Sequence, residues 1–268
     1  MARIDVIECR DALKGLAEIP DGSCGMLLTD PPYSSGGAFR GDRAGGTSEK
    51  YQTSGVKDVK PEFFGDTRDE RSLVLWNTLW LTECWRALAD GSSAVVFSDW
   101  RQLANTADVV QVAGFVFRGI IPWRKTAARP QPNSYRAECE YAVWATKGAI
   151  DRRPLTSAKY LPGFYEYGVP TGDERIHTTQ KPIGLIRDLM EVAPEGCVVL
   201  DPFMGSGTTA VAALQTGRHF MGFELSREYC DHANERVRKC SGGGFAEWLR
   251  ATAALLTASI GRSCARRA

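Results

Sequence analysis

The chain has 268 residues, a formal net charge of +1 and eight cysteines. This length suits one well-buried α/β domain with a small insertion. We place this domain in residues 1–240. The near-neutral charge gives no overall electrostatic argument for a nucleic-acid partner. The sequence lacks an apolar run of about 18 residues and a charged-then-apolar leader, which argues against a membrane span or a secretory signal. We therefore expect a cytoplasmic protein with reduced cysteines and no bound metal, since no C-x-x-C pair occurs.

The first predicted elements are a strand at 4–7 and a short helix from Asp11 to Glu18. A second strand follows at 24–28, where small and apolar residues run without a break, as in a buried strand. The two prolines after this strand enforce a turn. Asp30 is therefore expected at the carboxyl edge of a sheet, the usual ligand position in open α/β folds.

The run Asp30, Pro31, Pro32 and Tyr33 combines residue types that suit attack by an exocyclic amine of a nucleobase. Such an amine is a poor nucleophile because its lone pair is delocalised into the ring. The Asp30 carboxylate and the Pro31 carbonyl can each accept one amine N–H and favour a pyramidal nitrogen. Asp30 is expected to have an ordinary pKa, about 4, and to orient the amine rather than remove a proton beforehand.

Tyr33 would stack on a base that is swung out of the duplex. The same four residues would also fit a strand that ends at prolines with a capping aspartate. A second motif is therefore needed before the run can be assigned to catalysis.

Residues 34–67 form a long polar, glycine-rich segment after Tyr33. Long loops inside compact domains are usually functional, and this one carries basic residues that include Arg40 and Arg43. We expect the segment to cover a cofactor or to contact DNA. The alternative is a disordered surface loop.

Helical periodicity returns at Asp69, where Leu73, Trp76 and Trp80 recur on one face. The tryptophans are expected in the core rather than as stacking platforms for bases. The elements that follow are expected to be a strand at 93–98, a helix at 101–113, and strands at 115–123 and 140–147.

Residues 109–137 contain several cations and no acidic residue. A segment of one charge sign with prolines and aromatic residues between the cations is typical of a DNA-backbone contact. A solvated charged loop is the alternative. The candidate contacts here are Arg124, Lys125, Arg129 and Arg136. Residues 148–177 show no clear period, and a helix is predicted at 182–192 with proline in its first turn.

The second motif follows a predicted strand at 198–200. Asp201 ends the strand, and Gly205 and Gly207 allow the backbone to approach a ligand before a helix begins. Glu224 ends the next predicted strand, where a carboxylate can bind ribose hydroxyls. The turn lacks the lysine of a phosphate-binding P-loop and the third glycine of the dinucleotide fingerprint.

Together these motifs resemble the amino-methyltransferases of DNA that use S-adenosylmethionine, in the circularly permuted order often called the beta class. In that order the Asp-Pro-Pro-Tyr motif comes early and the Asp-Pro-Phe-x-Gly-x-Gly-Thr-Thr motif comes late. The resemblance covers residues 3–240. Three further stretches match the family: 5–13 resembles the segment that contacts the cofactor adenine, 121–125 with 138–141 the strands flanking the target pocket, and 179–182 the Gln/His-Lys-Pro element beside the cofactor methionine.

The resemblance implies a Rossmann-like methyltransferase fold of the α/β class, with a mostly parallel sheet and helices on both faces. The strands that end in Asp30 and Asp201 would lie side by side, which would place the methyl donor against the flipped base. Glu224 and Asp11 would hold the cofactor ribose and adenine, and Lys181 or its neighbours the cofactor carboxylate. The implied cofactor-binding set is Asp11, Ala12, Asp30, Lys181, Pro182, Asp201, Phe203, Gly205, Ser206, Gly207, Thr208, Glu224 and Leu225.

The identity of the target amine is read from Asp30. Adenine-N6 members of the family mostly carry Asp at this position and cytosine-N4 members more often Ser, so adenine in double-stranded DNA is the expected target. In the family, the position of residues 148–177 usually holds target recognition, and here it is short. A homodimer would match a palindromic site.

Three alternatives stay open on the sequence. The first is an N4-cytosine DNA methyltransferase, and the second is a methyltransferase of RNA or of protein glutamine, which more usually has Asn at the position of Asp30. The third is a non-catalytic DNA-binding or cofactor-binding module. Residues 241–268, a glycine linker and a tail, receive no function.

Overall fold

The computed structural model describes residues 2–34, 68–128, 132–150, 160–170 and 180–240. The strands of this part are β1 (Ile7–Cys9), β2 (Cys24–Thr29), β3 (Leu88–Ser98), β4 (Val116–Lys125), β5 (Cys139–Thr146), β6 (Tyr165–Tyr167), β7 (Val198–Asp201) and β8 (His219–Glu224). Its helices are α1 (Ala12–Leu16), α2 (Glu70–Ala87), α3 (Leu103–Val112), α4 (Ile183–Met190), α5 (Thr208–Gln215) and α6 (Arg227–Cys240).

The strands form one eight-stranded sheet in the order β1-β8-β7-β2-β3-β5-β4-β6. The pairs from β1 to β3 are parallel, β5 is antiparallel to both of its neighbours, and β6 is parallel to β4. The predicted fold, a mostly parallel sheet of the α/β class, is confirmed. The predicted adjacency of the strands that end in the two motifs is also confirmed, because β2 pairs directly with β7.

Two apolar clusters cover the two faces of the sheet. Side chains of a strand alternate between faces, so Met26 and Leu28 of β2 join the cluster under α4, α5 and α6. Leu27 joins the cluster under α1, α2 and α3. Because both faces are buried, β2 carries small and apolar residues from Cys24 to Leu28 rather than an alternating pattern.

The predicted stripe of α2 is confirmed, with Leu73 and Trp80 fully buried. Trp76 is half-buried, and the rings of Trp76 and Trp80 both pack on Phe203, with centroids at 5.2 and 5.1 Å. The tryptophans therefore support the motif that follows β7. Asp69 caps α2 by accepting a hydrogen bond from the backbone N–H of Ser72 at 2.8 Å.

The predicted strand at 4–7 is wrong, since β1 begins only at Ile7. Asp5 has a φ of 59°, which breaks an extended strand. Its buried carboxylate accepts the backbone N–H of Phe220 at 3.1 Å and lies 2.9 Å from Nδ1 of His219. These contacts hold residues 4–6 as a turn against β8.

Strand β6 has no counterpart in the sequence prediction, which finds no period in residues 148–177. The strand is only three residues long and pairs with β4 at the edge of the sheet. Tyr165 is buried, Glu166 is exposed and Tyr167 is half-buried, an alternation typical of a strand. The hydroxyl of Tyr167 donates to Asp188 of α4 at 2.5 Å, which ties this edge to the helix that follows Lys181.

Ser34 and Arg68 are joined by a hydrogen bond. The backbone N–H of Arg68 donates to Oγ of Ser34 at 3.2 Å, and Ser34 has a φ of 54°. Residues 35–67, with Arg40 and Arg43, lie outside the described residues, and so does the tail from 241. No helix in the ranges that the structure covers is long and apolar enough to span a membrane.

Candidate active site

Two carboxylates lie at the carboxyl ends of neighbouring parallel strands. β2 pairs with β7 through Met26 with Val199 and Leu27 with Leu200. Asp30 follows the last residue of β2, and Asp201 is the last residue of β7. The pairing therefore places the two sequence motifs at one edge of the sheet, where open α/β folds bind ligands.

The Asp30 carboxylate is held by one side chain from its own motif and by one from a distant part of the chain. The hydroxyl of Tyr33 donates to Oδ1, and Nζ of Lys181 lies 2.5 Å from Oδ2. Lys181 is 6% exposed and also lies 3.2 Å from Oε2 of Glu140. Its ammonium is thus shared between two carboxylates. A carboxylate has about four acceptor positions, so Asp30 retains capacity for a further donor.

The expectation of an ordinary pKa for Asp30 is wrong. Burial raises the pKa of Asp30, and the nearby Glu140 raises it further, while Lys181 opposes both. Burial lowers the pKa of Lys181, but the charges of Asp30 and Glu140 outweigh this effect and the pKa is raised. Burial also raises the pKa of Tyr33, so its hydroxyl stays a donor to Asp30.

The turn after β7 brings backbone close to the edge of the sheet. Gly205 and Gly207 have φ values of 51° and 78°, a region that favours glycine. Gly207 is the N-cap residue of α5, and a Cβ there would lie 2.9 Å from Cβ of Ala233 in α6. The following Thr208 and the preceding Ser206 are buried. The turn is therefore shaped by the packing of α5 on α6.

Asp201 closes the other side of this turn. Its Oδ1 accepts the backbone N–H of Phe203 at 3.0 Å. Burial raises its pKa to about 6. Asp201 is 2% exposed, so its carboxylate stabilises the turn from the protein interior.

Glu224 ends β8, the strand next to β7. Its Oε2 accepts the backbone N–H of Gly205 at 2.9 Å, and its Oε1 accepts that of Ser226 at 2.8 Å. Burial raises its pKa. Each oxygen still has a second lone pair, which can accept a hydroxyl. The apolar Leu225 beside it is 51% exposed.

Asp11 and Ala12 begin α1, directly after β1, the strand that pairs with β8. Asp11 caps α1 by accepting the backbone N–H of Lys14 at 3.1 Å. The carboxyl ends of β1, β8, β7 and β2 thus carry, in spatial order, the predicted adenine, ribose, cofactor-turn and catalytic residues. The glycine turn lies between Glu224 and Asp30, whose carboxylates can each accept a further hydrogen bond. This arrangement fits a nucleoside-containing cofactor.

Lys181 and Pro182 precede α4, and both are buried. Pro182 is the N-cap residue, so α4 begins one residue later than predicted. The ammonium of Lys181 points to Asp30 and Glu140. The assignment of Lys181 to the cofactor carboxylate stays a prediction.

The candidate DNA contacts differ in their surroundings. Arg124 pairs with Glu166 at 2.9 Å and with Glu138 at 3.5 Å, and Nζ of Lys125 lies 2.5 Å from Oε1 of Glu140. These acidic partners come from outside residues 109–137. The surroundings of Arg124 and Lys125 are therefore less positively charged than the sequence of that segment suggests. Arg136 is exposed. Arg129 lies outside the described residues.

Glu140 is the site residue that sequence reasoning did not single out. The resemblance placed it only in a strand that flanks the target pocket. β4 and β5 do pair there, with Trp123 opposite Glu140. An acidic residue in an otherwise apolar strand was the available signal, since such residues are rarely buried unless they are paired.

The comparisons agree with this geometry. The family model described as DNA methylase, for the N6 and N4 enzymes, matches residues 25–235. YubD of Escherichia coli (strain K12) is 31% identical over 229 residues, covering 85% of this chain and 87% of YubD. The type II methyltransferase M.HinfI of Haemophilus influenzae is 28% identical over 250 residues, covering 85% and 67%.

Among solved structures, the complex of M1.HpyAVI with S-adenosylmethionine superposes with a TM-score of 0.62 at 24% identity, covering 87% of this chain and 98% of that one. The fold of this chain is that of S-adenosylmethionine-dependent methyltransferases. With most of its length matched by the family model, the chain belongs to the N6/N4 DNA methylase family.

Proposed function

We propose that this DNA methyltransferase transfers a methyl group from S-adenosylmethionine to the N6 amine of adenine in duplex DNA. One observation carries the proposal: the Asp30 to Tyr33 motif and the glycine turn after β7 lie at the ends of directly paired strands. A target amine bound at the first would be next to a methyl donor bound at the second. Such proximity and orientation supply much of the rate enhancement in group transfer.

The cofactor would be held along the carboxyl ends of β1, β8 and β7. Glu224 would accept the ribose hydroxyls, and Asp11 with Ala12 and Leu225 would contact the adenine. The turn formed by Phe203, Gly205, Ser206, Gly207 and Thr208 would lie along the cofactor backbone. When bound, the cofactor supplies an electrophilic methyl group on a sulfonium sulfur, so the protein need not activate the methyl group further.

The acceptor side of the reaction belongs to Asp30, Pro31 and Tyr33. Asp30 and the Pro31 carbonyl would each accept one amine N–H, which localises the nitrogen lone pair for attack. The N–C bond would form as the bond from the methyl carbon to sulfur breaks, with sulfur keeping that electron pair. Positive charge then develops on the nitrogen, and the Asp30 carboxylate would stabilise it. The charge is lost when an N–H proton passes to Asp30 or to water. The raised pKa of Asp30 suits a group that accepts this proton late in the reaction.

Adenine is proposed over cytosine on the identity of residue 30. The matching family model covers both N6 and N4 enzymes, so membership of the family does not distinguish adenine from cytosine. The distinction rests on the residues of the site. Asp at this position is more usual in the adenine enzymes. An N4-cytosine activity is the second candidate, because both pockets require two acceptors and an aromatic ring.

DNA binding is proposed through basic residues at the end of β4 and in the segment that follows it. Arg124, Lys125 and Arg136 are the candidates among the described residues, and Arg124 would exchange its pairs with Glu166 and Glu138 for phosphate contacts. Arg40, Arg43 and Arg129 are candidates from the sequence alone. Homodimerisation likewise stays a prediction.

The test is transfer of labelled methyl from S-adenosylmethionine to unmethylated duplex DNA of mixed sequence, followed by nucleoside digestion and mass analysis. We expect label in N6-methyladenine. Asp30→Ala should abolish it, whereas Asp90→Ala, which changes a 94% exposed carboxylate, should not. Label in N4-methylcytosine would overturn the target base and keep the mechanism. Label in tRNA or protein but not in DNA would overturn the substrate.

A further inference from the structure

A chain of four alternating charges runs from the surface to the catalytic carboxylate. Nζ of Lys125 lies 2.5 Å from Oε1 of Glu140, and Oε2 of Glu140 lies 3.2 Å from Nζ of Lys181. Lys181 in turn lies 2.5 Å from Oδ2 of Asp30. The residues come from β4, β5, the segment before α4, and the end of β2. Only the folded sheet brings them together.

The inner part of this chain is shielded from water. The side chains of Lys181 and Glu140 are 6% and 19% exposed. The ammonium of Lys181 also lies 5.6 Å from the ring centroid of Tyr33 and 5.2 Å from that of Phe97. Electrostatic interactions are stronger in such an environment than in water. The negative charge of Glu140 therefore has a direct electrostatic effect on the ion pair between Lys181 and Asp30.

We propose that Glu140 is a positioning residue for methyl transfer: it shares the ammonium of Lys181 with Asp30, so that Asp30 is held in place and keeps acceptor strength for the target amine. This inference rests on the proposed function and deepens it. Without Glu140, Lys181 would pair with Asp30 alone. The full positive charge would then compete with the amine for the same carboxylate.

The charge of Glu140 has a defined effect on Asp30. Glu140 raises the pKa of Asp30, and Lys181 lowers it. Removal of the Glu140 charge therefore lowers the pKa of Asp30 and makes it a weaker proton acceptor. Among the residues that the structure describes, the titratable and charged groups around Asp30 and its partners are Tyr33, Asp99, Lys125, Glu140, Lys181 and Asp201.

The first test compares Glu140→Gln with Glu235→Gln in the full chain. Glutamine keeps the size and the hydrogen-bonding oxygen of glutamate and removes the charge. Glu235 pairs with Lys239 at 2.7 Å on α6, so the control also breaks a glutamate–lysine pair. In metal sites, outer carboxylates of this kind contribute about 10- to 100-fold to activity, and we expect kcat to fall roughly tenfold in Glu140→Gln.

The pH profile separates positioning from a merely structural role. Activity requires ionised Asp30, so the acid limb of kcat against pH should move to lower pH in Glu140→Gln. A loosened pocket would lower kcat without moving the limb, and that result would overturn the proposal. Lys181→Met and the double variant complete a cycle. If Glu140 acts through Lys181, the two effects are not additive, whereas additive effects would contradict the proposal.

A second measurement does not require activity. In protein labelled with ¹³C at the aspartate carboxyl groups, the Asp30 resonance is assigned with Asp30→Asn and titrated by NMR. Its midpoint should fall in Glu140→Gln and stay unchanged in Glu235→Gln. An unchanged midpoint in Glu140→Gln would overturn the inference. If the midpoint falls but the wild-type protein methylates no nucleic acid, the proposed function fails while the coupling of Glu140 to Asp30 stands.

Discussion

The hydroxyl of Thr29 donates a hydrogen bond of 2.7 Å to Oδ1 of Asp201, although 172 positions separate the two residues. Both side chains are buried, at 1% and 2% exposure. Thr29 is the last residue of the strand before the catalytic motif, and Asp201 is the last residue of the strand before the cofactor turn. The bond therefore fixes the two halves of the site to each other.

Thr29→Val should lower the free energy of unfolding by about 1–3 kcal/mol, because valine has the shape of threonine but leaves the buried Asp201 without this donor. Denaturant unfolding at pH 7 measures the change. Thr29→Ser, which keeps the hydroxyl, is the matched control and should lose less. Equal losses in the two variants would show that packing of the methyl group, rather than the hydrogen bond, decides the effect.

Asp201 should make stability depend on pH. Its pKa rises from 3.8 to about 6 on folding because the carboxylate is buried. The folded state thus binds the Asp201 proton more tightly, so the contribution of this group to stability is fully present below about pH 4 and is lost as pH rises through about 6. A rise of about two pKa units corresponds to about 3 kcal/mol.

Asp201→Asn removes this titration and keeps an acceptor oxygen for Thr29 and the backbone of Phe203. From pH 4 to pH 7, the unfolding free energy of the wild type should fall relative to that of the variant, by up to about 3 kcal/mol. Other titrating groups cancel in the difference. A difference that is constant over this range would contradict the assignment of the raised pKa to Asp201.

Gly207→Ala should destabilise the protein by two separate effects. The φ of 78° strains an alanine, and the new Cβ would lie 2.9 Å from Cβ and 3.2 Å from Cα of Ala233. Strain in this region costs about 1–3 kcal/mol, and overpacking adds a similar amount. Gly217→Ala is the control, because Gly217 has a φ of 67° with open space around its Cβ position.

Thermal unfolding of both alanine variants isolates the packing term. Gly207→Ala should unfold at the lower temperature, and Ala233→Gly in the same chain should recover part of the difference. If the two glycine variants lose equal stability, the contact with α6 does not constrain the turn.

Glu224→Gln should weaken binding of S-adenosylmethionine, since hydrogen bonds to a charged acceptor contribute about 1.5–3 kcal/mol, equivalent to about 10- to 100-fold in Kd. Titration calorimetry in the absence of DNA measures this directly. Glu228→Gln changes an exposed carboxylate four residues later and should bind the cofactor as the wild type does. Unchanged affinity in Glu224→Gln would remove Glu224 from the proposed ribose site.

Local patterns were enough to predict most of the elements. Alternation and continuous apolar runs located β2, β7 and β8, and the stripe of Leu73 and Trp80 located α2. The strand predicted at 4–7 was wrong because Asp5 is held by residues of β8 more than 200 positions away, and no local pattern reveals such a contact. Strand β6 was missed because three residues are too few for a period to show.

The sequence by itself determined that an Asp-Pro-Pro-Tyr turn and a glycine turn follow buried strands, because proline, glycine and apolar runs restrict the backbone locally. Tertiary structure alone decided the charges around Asp30. Lys181 and Glu140 lie 151 and 110 positions away along the chain, and they reach Asp30 only through strand pairing and the placement of α4. A pKa depends on burial and on charges in space, so the raised pKa of Asp30 could not be read from the order of residues.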